Sequence, residues 1–285
     1  MPDIAILTDS TADLSPDLIA ANHLTVIPLI VQFGGQTYRD GVDMTTDRLF
    51  ALAEAHRKLP TTSSPNVADF QAAFAEAARG DRQVLYIGIS SKLSSTFQNA
   101  AIAAGLFPAG QVRVFDSLNL STGIGLQVLV ACDLARQGKS VEEIIATLEQ
   151  VRPKVRTAFM IDTLDYLHMG GRCSSVQALV GSLLKLRPII AVEGGAMGVA
   201  AKTRGSRQKG LDWMLERLAE DARAGGVQPD RVFITHTGVP EDARYVADEV
   251  RRILPEVAAV IETRAGSVIG SHCGPGTIGI IYVVK

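Results

Sequence analysis

The residues best equipped for chemistry are hydroxyls crowded into two short stretches. One is Ser90-Ser91-Lys92-Leu93-Ser94-Ser95-Thr96. It follows an apolar run, Val84 to Ile89, that reads as a buried strand, and it precedes Asn99 to Ala104, a run of good helix formers. The first N–H groups of a helix have no partner inside it, and the helix dipole is positive there. Hydroxyls beside such amides can hold an anion, or they can amount to one cap with solvated neighbours. The other stretch is Thr61-Thr62-Ser63-Ser64-Pro65. Here Ser64 reads as the N-cap and Pro65 as the first position of a helix from Val67 to Arg79, leaving Thr62 just outside a second helix start. A third candidate is His272, between Gly266 and Gly276. Its imidazole could bond within a glycine-rich turn or donate to a carboxylate, and an adjacent anion would raise its pKa.

Other chemistries fit less well. Ser94 and His272, with Asp9 or Asp116, could form a nucleophile, base and orienting acid, which makes a serine hydrolase of lipid esters or thioesters the alternative reading. No GxSxG elbow accompanies them. Gly274-x-Gly276-x-x-Gly279 matches a dinucleotide-binding pattern, but it leads into a closing strand, not a helix. A phosphate- or sugar-binding enzyme is a further possibility and would need a polar pocket. Asp9 and Asp13 read as turn and cap residues. The remaining histidines lack metal-ligand spacing, so no metal is expected. Arg172 after Gly170-Gly171, and Arg204 after a strand, are either solvated or placed to receive a phosphate or a partner's acidic face.

The elements that must position these groups follow from pattern. The chain has 285 residues, 47% of them hydrophobic, enough for one large domain or two ordinary ones. Net charge is −2 and aromatics are 5%, which argues against nucleic acid. Three cysteines without a CxxC pair suggest buried thiols in a reducing compartment. No signal peptide or bilayer-length apolar run is seen, so a cytoplasmic protein without stable membrane insertion is expected. Strands alternate with helices through the first half, implying a mostly parallel sheet flanked by helices. Thr25 to Gln32 reads as one strand. The expected division is residues 1–157 as an N-terminal α/β domain and 158–285 as a C-terminal mixed α/β domain, the last strand being free to return toward the first. Pro188 suggests an edge or strand-start position, and Ser174 or Ser175 the start of a helix.

Taken in order, Leu7-Thr8-Asp9-Ser10-Thr11-Ala12-Asp13, the two hydroxyl stretches, Thr163-Leu164-Asp165-Tyr166-Leu167 with Gly170-Gly171-Arg172, Leu184 to Ile189, and Ile269 to Gly276 resemble the DegV family, the fatty-acid-binding subunits of bacterial fatty acid kinase. The resemblance covers essentially the whole chain. It implies one long-chain fatty acid held between two α/β domains, with its carboxylate at Thr62, Ser94 and His272. It implies a carrier, not an enzyme by itself, with no cofactor beyond the bound acid. An ATP-binding kinase subunit would form the acyl phosphate, with Arg172 and Arg204 serving that encounter or the phosphate. Two positions depart from the family pattern: Ser95, where Gly is frequent, adds a hydroxyl near the head group, and Cys273 stands where Thr or a similar residue is common.

Overall fold

The computed structural model describes residues 4–80, 82–173 and 186–285. Short apolar runs build a four-stranded, all-parallel sheet from β1 (Ile4–Asp9), β2 (Thr25–Ile27), β6 (Gln83–Gly88) and β7 (Val112–Asp116), in the order β2-β1-β6-β7. Such a sheet needs both faces covered. Helices α3 (Val67–Ala77) and α4 (Thr96–Ala104) close one face over Phe70, Phe74 and Tyr86. Helix α5 (Thr122–Arg136) closes the other.

A six-stranded mixed sheet follows. Its strands are β8 (Val155–Met160), β9 (Leu186–Glu193), β10 (Ala196–Arg204), β11 (Arg231–His236), β12 (Ala259–Arg264) and β13 (Ile278–Val283), in the order β10-β9-β8-β13-β11-β12. Only β11 and β12 pair in parallel. One face packs on α8 (Gln208–Arg223) and α9 (Pro240–Ile253). The other face meets α5, which is therefore buried on nearly every side, as a helix without a polar face must be. Its glycines allow this approach: a Cβ on Gly125 would lie 2.8 Å from the Leu14 side chain. One core cluster consequently runs from Ile6 and Leu85 through Ile124 to Phe159 and Ile281.

A small antiparallel sheet, β4-β3-β5, joins β3 (Ile30–Phe33), β4 (Gln36–Arg39) and β5 (Thr61–Ser63). Two further helices complete the surroundings of the site. These are α2 (Thr46–His56) and α7 (Asp165–Gly170), and both pack against α10 (Ser267–Cys273). No helix among the described residues is long and apolar enough to cross a membrane.

Several local expectations change. Thr25 to Gln32 is two strands in two sheets, broken at Pro28, which has no N–H for a ladder. Thr61–Ser63 is a strand and not a helix mouth. The cap of α3 is Asn66, whose side chain accepts from Asp69 N while Asp69 accepts from Asn66 N. The glycine-rich segment before the last strand contains a helix, α10. Pro188 lies in β9, an interior strand, but at a position where the Cα pairing with β8 has run out. The boundary expected at 157 falls within β8, and β13 lies inside the six-stranded sheet between β8 and β11. Both β13, against α5, and α10, against α2 and β3, pack on N-terminal elements. The helix start expected at Ser174 or Ser175 lies outside the described residues.

Candidate ligand-binding site

The strand β5 pairs with β3, placing Thr62 opposite Val31. Side chains alternate along a strand, so Thr61 and Ser63 are exposed and Thr62 is half-buried. The turn after β6 is held from several sides. Ile89 N donates to Asp9 Oδ2 at 3.0 Å, and buried Ser90 donates from Oγ to Gly195 O at 2.7 Å. Ser94 then serves the start of α4: its Oγ accepts from Thr96 N at 3.2 Å and shares a bond with Thr96 Oγ1 at 2.8 Å. Ser95, at the N-cap, makes no capping bond and instead meets Ser64, Oγ to Oγ, at 2.9 Å. Asn99 Nδ2 donates to Ser64 Oγ at 3.1 Å and to Pro65 O at 2.8 Å, joining the two hydroxyl stretches.

His272 comes from the opposite side, on α10. Its Nε2 shares a 2.7 Å hydrogen bond with Thr62 Oγ1, while Nδ1 is buried and has no partner among the described residues. The ring lies against the end of α7: a Cβ on Gly170 would sit 2.2 Å from Nδ1. Arg172, just beyond, donates from Nη1 to Gly170 O at 2.5 Å. Burial first, and the Arg172 guanidinium second, push the His272 pKa down to about 4. In this structure the ring is thus neutral at neutral pH.

These groups border one cavity of about 250 Å³, whose lining includes Thr62, Ser94, Ser95, Arg172 and His272. The polar members are contiguous, because Thr62 bonds His272 and Ser64 bonds Ser95. None of the described lining residues is acidic, and one is a cation, so the polar end favours an anion. The rest of the wall is apolar, with Leu29, Ile89, Leu93 and Val268 among its members. Leu120, Ile269 and Cys273 are shared with a second, small cavity that Phe159 and Ile281 also line. A larger cavity of about 820 Å³, lined by Arg152, Arg156 and Trp213, includes none of the expected site residues.

Five of the six expected residues thus meet in one place. Arg204 does not; it is exposed at the end of β10. The geometry does not support the hydrolase alternative. Ser94 bonds Thr96 and not His272, and among the described residues no carboxylate reaches His272 Nδ1. Asp9 instead accepts from Thr11 N, Tyr86 Oη and Ile89 N, which is structural work. The Gly274 and Gly276 pattern forms a turn with φ of +78° and +76° before β13. Among the described residues no group of His, Cys, Asp and Glu is arranged to hold a metal. Two contributors escaped sequence reasoning. Asn99 reads only as a helix residue, and Gly170 reads as a helix stop although the imidazole needs its missing side chain.

The comparisons agree in kind. The sequence profile described as an uncharacterised protein, DegV family, matches residues 3–285. A DegV domain-containing protein of Deinococcus radiodurans is 37% identical over 282 residues, covering 97% of each chain. The chain belongs to the DegV family. Among solved DegV structures, one from Thermus thermophilus, described as fatty acid binding of a DegV family protein, superposes with a TM-score of 0.92 at 34% identity. That match covers 99% of this chain and 100% of the other. DegV of Bacillus subtilis, described as a fatty acid binding protein, gives a TM-score of 0.89 at 34% identity and full coverage of both chains. The DegV fold of this chain therefore brings residues 62 and 94 to residue 272, across most of the sequence.

Proposed function

We propose that this chain binds a long-chain fatty acid and presents it to a separate ATP-dependent kinase subunit for acyl-phosphate formation. The carboxylate lies on Thr62, Ser94 and His272, with Ser95 and Arg172 close by, and the acyl chain occupies the apolar part of the cavity. One observation carries the reading: a single cluster of hydroxyls, one imidazole and one guanidinium, without acidic neighbours, opens onto aliphatic walls that continue toward a second apolar space. DegV relatives of similar fold at 34% identity, described as binding fatty acids, support it.

The physics is consistent. Burial of a chain of about 16 carbons grosses on the order of 12 kcal/mol at about 0.8 kcal/mol per methylene, offset in part by ordering the ligand. An unpaired buried carboxylate would cost much of that. Thr62 and Ser94 hydroxyls can rotate from their present partners to donate to it, and its charge would draw the His272 pKa upward. Phosphorylation asks little more of this chain than orientation: a carboxylate oxygen attacks the γ-phosphorus, the bond to the ADP oxygen breaks, and ADP departs. The nucleophile is already ionised, so no base is required here. Arg172 and Arg204 are assigned to the phosphate or to the kinase encounter.

Native mass spectrometry of protein purified from bacterial cells should find a long-chain acid that is released on denaturation. Failure to find either a co-purifying acid or uptake of added palmitate would refute the binding reading. With a kinase subunit and ATP, hydroxylamine should trap an acyl hydroxamate; its absence despite binding would refute the kinase role alone.

A further inference from the structure

The motif Thr8 to Asp13 and the turn at Asp40 take no part in the proposed ligand contacts, yet both reach the start of α10. Asp13 Oδ1 accepts from Gly266 N at 2.7 Å, and its Oδ2 accepts from Ser121 Oγ at 2.5 Å. Asp40 Oδ1 accepts from Ser267 N at 2.7 Å and from Ser267 Oγ at 2.6 Å. Both carboxylates are buried. They satisfy two of the amides that a helix start leaves without partners. Thr46 Oγ1 donates to Ala265 O at 2.6 Å just before the helix. The fit is close, since a Cβ on Gly266 would stand 3.1 Å from both Asp40 oxygens and 3.3 Å from Asp13 Oδ1.

We infer that Asp13 and Asp40 are positioning residues that fix α10, and through it the imidazole of His272, against the wall carrying Thr62. His272 lies five residues beyond Ser267, about 7.5 Å along the helix axis, so any slide or tilt at the carboxylates reaches the ring. The hydrogen bond of 2.7 Å between His272 Nε2 and Thr62 Oγ1 would be lost on a shift of about 1 Å. A pair of acids conserves the register of a helix that has only seven residues and little stability of its own. This inference rests on the reading of His272 as a carboxylate ligand only for its consequence on binding.

The test therefore has two readouts on the full chain. One is the His272 ring signals in protein with ¹⁵N-labelled histidine, free of ligand; there are five histidines, and His272→Gln assigns the one needed. The other is palmitate affinity. Asp40→Ala and Asp13→Ala should each shift the His272 signals and weaken palmitate binding about tenfold. Asp40→Asn and Asp13→Asn keep an acceptor oxygen and should restore both to within about twofold. Asp47→Ala, which breaks an exposed ion pair between α2 and Arg264 at the end of β12, should leave both unchanged. Should the alanine variants fail to fold, Gly266→Ala, pressing on the same oxygens, should reproduce the shift. Unchanged His272 signals in folded Asp40→Ala or Gly266→Ala would overturn the inference. Shifted signals in a protein that never binds palmitate would sustain it and refute the ligand reading.

Discussion

The Ser94 and Ser95 hydroxyls themselves bond to nearer neighbours, although the turn beneath them is tied to Asp9 and Gly195, whereas the wall carrying His272 is held from its far end. Ser94 bonds Thr96, two residues on, and Ser95 bonds Ser64, 31 residues away. By contrast, α10 is tied to Asp40 across 227 residues and to Asp13 across 253, and His272 itself to Thr62 across 210. Short-range bonds form with little loop-closure cost, while the long-range set exists only once both sheets have assembled around α5. Damage to the hydroxyl wall should therefore be local, and damage to the histidine wall should propagate from remote positions.

The largest effect on the histidine wall is expected at Gly170. Gly170→Ala places a methyl on the imidazole, and palmitate affinity should fall by about 2 kcal/mol, approaching the loss in His272→Ala; titration calorimetry measures both. If Gly170→Ala binds as the unmodified chain does, the ring is not where its ligand needs it. Ser94→Ala should cost less, about 1 kcal/mol in affinity, with only a small fall in the thermal midpoint because the loss is a local cap and one ligand bond.

A gentler probe is pH. The His272 ring sits at about 4 in the folded protein against an ordinary 6.5. The unfolded chain takes up that proton first, so this ring's contribution to stability is fully present above about 6.5 and is lost as pH falls toward about 4. Denaturant titrations should show a shallower loss over that window for His272→Gln than for the unmodified chain; equal slopes would contradict a buried neutral ring. The smallest effect on binding is expected at Arg204, exposed and away from the cavity. Arg204→Ala should leave palmitate affinity unchanged and lower only acyl-phosphate formation with the kinase subunit, measured by hydroxamate trapping.

Much of the fold was legible because its signals are local. The cap and proline at Ser15-Pro16, the capping box of Ser140 with Glu143 and the Gly194-Gly195 hairpin all stand where their residue types place them. The failures share a cause. Thr61–Ser63 becomes a strand because β3 lies beside it, and residues 267–273 become a helix because Asp13, Asp40 and Thr46 satisfy its start and approach. Neither partner is near in sequence, so neither was visible to a reading of neighbours. The ordered motifs pointed to the family and to Thr62, Ser94 and His272 as a set, but not to Asn99 or Gly170.

By itself the sequence determined which segments are apolar enough to be buried, where most helices begin, and that hydroxyls gather in two places with no acidic company. Tertiary structure alone decided that those places meet residue 272 at one cavity, that burial pushes the imidazole pKa down there, and that aliphatic side chains line the rest of that cavity. The reason is physical: propensities and caps act within a few residues, whereas desolvation and convergence depend on which distant segments exclude water together.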